Sequence, residues 1–319
     1  MRSMMIVNPH ATATTERRRD LLAHALAAEV RLVVAQTTGR GHAAELAEKA
    51  VVGGAELIVV HGGDGTVNEV VNGIKTATAD GTRIAPMLAV VPGGSTNVFA
   101  RAMGMDPDPV IATEQILEAL IVRQPPRTIS LGRVDDRYFT FNAGLGLDAE
   151  VVEAVEKRRA DGKPITNMLH VRKAVSQFFR SNRRKPRLTI TVDDEPARPG
   201  VHLVFVSNVD PWTYLHARPV RTNPSTSSEG GLGLFALTSL RLPSVLRVTG
   251  QLLRPSAEPS SGVLVRNDSV NSVTVRCSEP VGLQVDGDYL GVRDGAEFTS
   301  VPNALRVLTG LPARLRDDN

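Results

Sequence analysis

Three short stretches hold residues that could do chemistry. Leu57-Ile58-Val59-Val60-His61 runs into Gly62-Gly63-Asp64-Gly65-Thr66, three glycines around one carboxylate. Pro92-Gly93-Gly94-Ser95-Thr96-Asn97 is a second glycine loop, and Asp286-Gly287-Asp288 sets two carboxylates about a glycine. Glycine tolerates positive φ and lets a ligand approach the main chain. A strand, a glycine-rich turn and a helix N-terminus together form a phosphate cradle, because the first N–H groups of a helix have no partner within it. The plainer alternative for Gly62 to Thr66 is a tight turn with no ligand. For Asp286-Gly287-Asp288 it is a hairpin turn, since Asp-Gly is a strong hairpin signal, and a turn can also carry a functional carboxylate.

The surrounding elements must position these loops. The β-branched run before Gly62 reads as a buried strand. Val67, Val70, Val71 and Ile74 recur at i, i+3, i+4 and i+7, one apolar helix face. Up to about Val122, strands and helices alternate, which predicts a parallel sheet with helices on both faces, a doubly wound Rossmann-like α/β domain. Ligands bind at the carboxyl ends of such strands, where both glycine loops fall. Gln124-Pro125-Pro126 is the expected boundary. Beyond it come short strands separated by turn residues such as Asp135-Asp136, which predicts a C-terminal antiparallel β-sandwich. The expected division is residues 1–124 and 125–301. The tail 302–319, apolar over Ala304 to Leu308, is able to pack back on the first domain.

The apolar fraction of 42% and charged fraction of 22% are those of a globular protein. No apolar run approaches the roughly 20 residues of a membrane-spanning helix. The N-terminus reads as a first strand rather than a signal peptide. Cys277 is the single cysteine, which excludes an internal disulfide and a thiolate metal cluster and suits the cytoplasm. The net charge is only +3, but eleven basic residues and one acid, Asp161, fall between Lys157 and Arg187. A helix over about 167–181 would gather Val171, Ala174, Val175, Phe178 and Phe179 on one side. Such a basic amphipathic segment suits an anionic membrane surface. No aromatic platform accompanies it, so nucleic acid is not an expected partner.

Gly62-Gly63-Asp64-Gly65-Thr66 followed by Asn68-Glu69-Val70-Val71-Asn72-Gly73 resembles the signature of the diacylglycerol kinase catalytic domain, a family that includes bacterial soluble lipid kinases and sphingosine kinases. Asn8-Pro9, Thr37-Thr38 through Gly41-His42-Ala43, the second glycine loop through Arg101, Asn142 to Ala149 and Asp286-Gly287-Asp288 resemble further family segments in the same order. The ordered set is more specific than Gly-Gly-Asp-Gly alone, which NAD kinases and phosphofructokinases share.

The resemblance implies transfer of the ATP γ-phosphate to a lipid hydroxyl, with diacylglycerol the leading acceptor and phosphatidic acid the product. Nucleotide and acceptor are then expected in the cleft between the domains. It implies a nucleotide site from Asn8, Thr38, Gly62, Gly63, Asp64, Gly65, Thr66, Glu69, Gly94, Ser95, Thr96 and Asn97. Asp64 would organise Mg²⁺, Asp288 would be the general base and Asp286 the alternative; within the family Asp64 is itself sometimes given the base role. The family's structural Mg²⁺ segment corresponds to Glu229-Gly230-Gly231-Leu232-Gly233, so Thr226, Glu229 and Gly231 are the candidate ligands. Gly233 and Val98 each replace a family carboxylate. The expected setting is cytoplasmic, peripheral to the inner face of the membrane, with a possible homodimer. The rivals are an NAD kinase-like phosphotransferase and a non-catalytic nucleotide- or membrane-binding relative.

Overall fold

The computed structural model describes residues 1–146, 185–215, 218–254 and 258–310. Most of the basic stretch, the helix expected within it and Leu147-Asp148-Ala149 lie outside these residues. The chain forms two compact units, one of Met1–Ile129 with the chain from Asn303 onward, the other of Ser130–Pro302.

The first unit contains β1 (Arg2–Val7), α1 (Glu16–Ala27), β2 (Arg31–Gln36), α2 (His42–Val52), β3 (Leu57–Gly62), α3 (Asp64–Ala77), β4 (Met87–Pro92), α4 (Val98–Ala102) and α5 (Pro109–Ile121). Its strands are parallel in the order β2-β1-β3-β4. Every residue of β3 is buried, which explains its unbroken apolar run, since a central parallel strand is covered on both faces. The chain returns here at its C-terminal end. Arg306 and Val307 pair in parallel with Met87 and Leu88, and Leu308 N–H donates to Leu88 O.

Helix starts differ in a way that bears on function. Thr15 caps α1 through Arg18 N–H, and Asp108 caps α5 through Val110 and Ile111 N–H. By contrast, α3 starts from Gly63 with no side-chain cap at that position.

The second unit contains β5 (Arg127–Val134, which enters it from the first), β6 (Arg137–Phe139), β7 (Asn142–Gly146), β8 (Leu188–Val192), β9 (Arg198–Val201), β10 (Leu203–Ser207), β11 (Thr213–Leu215), β12 (Arg218–Val220), β13 (Leu232–Leu237), α6 (Leu242–Leu252), β14 (Leu264–Val270), β15 (Ser272–Val285) and β16 (Asp288–Val307). The antiparallel order is β14-β13-β10-β7-β15-β16. The expected strands near Ser272, Leu283 and Glu297 are pieces of two long strands. β15 pairs with β8 through Val273–Cys277 and with β7 through Leu283–Val285. Its register against β16 shifts between Arg276 and Val281, so one bulged strand serves two sets of partners. A single core cluster takes Leu145, Val204 and Leu283 together with Ile190, Val273 and Phe298. The layers are therefore joined through shared strands. α6 was not legible as a helix; it seats Val245, Val248 and Leu252 on Leu203, Phe235 and Leu237.

Candidate active site

The two glycine loops of the first unit meet backbone to backbone. Gly93 N–H donates to Gly62 O at 2.9 Å. A Cβ on Gly93 would stand 2.9 Å from Gly62 Cα, and one on Gly94 would stand 2.8 Å from Gly63 Cα. Side chains at either position would force the loops apart, so the glycines are required by close approach.

Asp64 locks this arrangement. Its Oδ2 accepts from Val98 N–H at 3.0 Å and its Oδ1 from Phe99 N–H at 3.2 Å. The carboxylate of the first loop thus caps the helix that follows the second. Asn97 sits at φ 51°, accepts from Gly94 N–H at 2.8 Å and donates to Gly94 O at 2.8 Å. Asn8 Nδ2 donates to Thr66 Oγ1 at 3.1 Å, which ties the end of β1 to the first turn of α3. Asn8, Gly62, Gly63, Asp64, Thr66, Gly94 and Asn97 therefore form one connected group, with Gly65 and Thr96 on the same loops. Ser95 is exposed at the tip of the second loop.

Two expected nucleotide contacts have structural partners instead. Glu69 Oε2 accepts from Ala43 N–H at 3.2 Å, so this carboxylate satisfies an open N–H in the first turn of α2. Thr38 is exposed and bound to His42 Nδ1 through both N–H and hydroxyl, at the entry to α2. His61 is fully buried, with Nδ1 3.2 Å from Val91 O and Nε2 3.1 Å from Thr14 Oγ1. This pairing fits a neutral ring that donates from Nδ1 to the carbonyl and accepts the threonine hydroxyl. Burial pushes the His61 pKa down.

In the second unit Asp286 and Gly287 form the tight turn between β15 and β16, at φ 47° and 81°, with Val285 and Asp288 paired across it. Both positive φ values match the primed hairpin turn that Asp-Gly favours. Asp286 is buried and accepts four hydrogen bonds, from the N–H groups of Thr140, Phe141 and Asn142 and from the Thr140 hydroxyl, at 2.7–3.0 Å. Burial pushes its pKa up and these donors oppose the shift. Both of its oxygens hold residues 140–142 in place.

Asp288, the next residue after the turn, is only partly buried. Its Oδ2 accepts from Arg137 Nη2 at 2.9 Å, an ion pair that sequence spacing did not reveal. The only sequence signal at Arg137 is its place just after the Asp135-Asp136 turn. Behind the hairpin, Gln284 Nε2 donates to Asn142 Oδ1, Asn142 Nδ2 to Trp212 O, and Gly287 N–H to Gln284 Oε1. The family-like Asn142 segment and the late Asp-Gly-Asp segment are thus one hydrogen-bonded assembly.

Of the candidate structural Mg²⁺ ligands, Thr226 has protein partners around it. Thr226 Oγ1 donates to Asp268 O at 2.9 Å, and Asn223 Nδ2 donates to Asp268 Oδ1 at 2.9 Å. Arg266 Nε lies 3.5 Å from that same Oδ1. At Gly233 a Cβ would stand 2.3 Å from Thr226 Oγ1, so the slot for a second carboxylate is filled by protein. Among the described residues no three His, Cys, Asp or Glu side chains could share a cation.

Comparison with known proteins agrees with these features. Residues 2–134 match the diacylglycerol kinase catalytic domain. A diacylglycerol kinase of Bacillus subtilis is 29% identical over 275 residues, 85% of this chain and 84% of that one. A probable lipid kinase YegS-like protein of Chromohalobacter salexigens is 35% identical over 123 residues, 39% of this chain and 37% of that protein. The crystal structure of a putative diacylglycerol kinase from Bacillus anthracis shares the fold, with TM-score 0.75, 22% identity and 97% of each chain covered. Over residues 2–134 the chain is thus similar to the diacylglycerol kinase catalytic domain, and over most of its length to a bacterial diacylglycerol kinase.

Proposed function

We propose that this protein is an ATP-dependent lipid kinase that transfers the γ-phosphate to a lipid hydroxyl, with diacylglycerol the leading acceptor. The observation that carries this reading is the contact of Gly62 with Gly93 and of Gly63 with Gly94, beside a helix N-terminus that lacks a side-chain cap. Two glycine loops at the carboxyl ends of adjacent parallel strands leave the first N–H groups of α3 with no side chains in the way, which suits a polyphosphate. In this reading the first unit binds nucleotide and the second binds lipid.

The N–H groups at Gly63 to Thr66 and at Ser95 hold phosphate oxygens, and the exposed Ser95 hydroxyl adds a bond. Asn97 and Asp64 keep the two loops in register. A divalent cation bound with the nucleotide supplies charge neutralisation at the phosphates, and Asp64, half-buried among backbone N–H groups, is the carboxylate suited to orient it. Asp288 takes the proton of the acceptor hydroxyl as the new oxygen–phosphorus bond forms and the bond from phosphorus to ADP breaks. Arg137 holds Asp288 in place. Work on a bilayer lipid implies peripheral attachment to an anionic membrane surface on the cytoplasmic side. Among the described residues no helix is long and apolar enough to cross a membrane.

The test is a labelled-ATP assay on mixed micelles of candidate lipids. Wild type is expected to phosphorylate diacylglycerol, and Asp64→Asn and Asp288→Asn to lose turnover while remaining folded. Phosphorylation of NAD and of no lipid would sink this reading, as would ATP binding with no acceptor phosphorylated at all.

A further inference from the structure

Helix α6 has an outer surface that folding does not explain. Its inner side is Val245, Val248 and Leu252, packed on the aromatic and leucine cluster of the second unit. Leu242 and Leu246 are 43% and 62% exposed, with Pro243 exposed beside them. Leu242 and Leu246 are spaced i, i+4, which lines them up along one flank of the helix. Arg247 follows Leu246 on the neighbouring flank, with Arg241 at the helix start and Arg254 just past its end.

All three arginines are exposed, and none forms an ion pair among the described residues. Between Thr238 and Ala257 there is no acidic residue, so this stretch alone carries three positive charges, as many as the net charge of the whole chain. A water-facing helix would ordinarily put polar residues where the two leucines stand.

We propose that α6 is a membrane-contact element that sets Leu242 and Leu246 into the surface of an anionic bilayer, with Arg241, Arg247 and Arg254 held at the phosphate level. This rests on the lipid-kinase reading above for its purpose, but not for its test. The residue types suit that occupant. Leucines gain from entering the headgroup–acyl boundary, while long arginine stems let the guanidinium groups stay among lipid phosphates. Anionic lipid also answers the local charge. A second copy of this chain is a poor occupant, because a two-fold contact through this patch would bring the same arginines face to face.

The experiment is co-sedimentation of the full chain with vesicles of phosphatidylcholine alone or with about 30% phosphatidylglycerol. Wild type is expected to bind the anionic vesicles about tenfold more strongly. The double variant Leu242→Ser/Leu246→Ser is expected to lose about tenfold of that binding with its melting curve unchanged. Arg247→Gln/Arg254→Gln is expected to weaken binding and flatten its salt dependence. A tryptophan placed by Leu246→Trp should be quenched by brominated lipid beyond the wild-type signal. Undiminished binding by the leucine variant, or no added quenching, overturns the proposal. So does light scattering in which the leucine variant splits a dimer. Turnover on a dispersed short-chain diacylglycerol, without vesicles, should be equal in wild type and leucine variant. If neither phosphorylates any lipid, the kinase reading fails while the vesicle result still decides the role of α6.

Discussion

Arg137, at the start of β6, donates from Nη2 to Asp288 Oδ2 at 2.9 Å, an ion pair between that strand and the residue just after the hairpin turn. Asp286, on the other side of Gly287, is bound by four donors of its own, so two acids a glycine apart have different partners. Replacing Arg137 with Met should lower kcat by roughly ten- to a hundredfold, since small misplacements of a catalytic group cost that much. The KM for ATP should be unchanged. Steady-state kinetics on diacylglycerol micelles checks both, and Arg137→Lys should recover part of the loss.

Asp286→Ala should act on stability. It strands the Thr140, Phe141 and Asn142 N–H groups in a buried position, at a cost of about 3 kcal/mol or more. Urea unfolding followed by circular dichroism should show that loss, whereas Asp288→Asn should unfold near the wild-type midpoint and yet be inactive.

Gly94→Ala should open the cradle. Its methyl would stand 2.8 Å from Gly63 Cα, and main-chain overpacking of this kind costs about 1–3 kcal/mol. Calorimetric titration with ATP should show binding weakened by tenfold or more. Ser95→Ala, at the exposed loop tip, should lose far less.

The pH dependence of stability should carry a His61 signature. The ordinary value is 6.5, and burial lowers it in the folded protein. Between the two values the unfolded chain binds more protons, so stability rises with pH there. The neutral ring's contribution is fully present above about pH 6.5 and is lost as pH falls below it. Urea midpoints between pH 5 and 7.5 should fall on the acid side, and His61→Gln should reduce the slope. His202, shifted the same way by burial, should leave some of it in place.

Divalent cations should matter to turnover and not to folding. Thr226, Asn223, Asp268 and Arg266 bond to one another around Gly233, where a carboxylate has no room. EDTA should therefore leave the melting temperature within about 1 °C, since no bound cation is lost from the folded state. Activity should vanish in EDTA and return with Mg²⁺. A fall of several degrees in EDTA would show a metal site that these contacts do not explain.

Local signals specified much of this protein. The all-apolar run of β3, the helical spacing of α3 and the glycines between them announce a parallel strand, a turn and a helix, because burial and φ freedom are properties of single residues and short spacings. Asp286-Gly287 announced its hairpin for the same reason. Asp64 was legible as a carboxylate in a phosphate loop, but not as the cap of α4, because its partners Val98 and Phe99 are brought to it only by the pairing of β3 with β4. Glu69 looked free on its helix until α2 supplied Ala43 N–H. Arg137 and Asp288 are 151 residues apart, and no periodicity links them; antiparallel folding of the second unit makes them an ion pair. Sequence determined which groups exist and which local conformations they favour. Tertiary structure decided which donors and charges those groups meet, and so gave two carboxylates a glycine apart different surroundings, one buried among backbone N–H groups and one paired with an arginine.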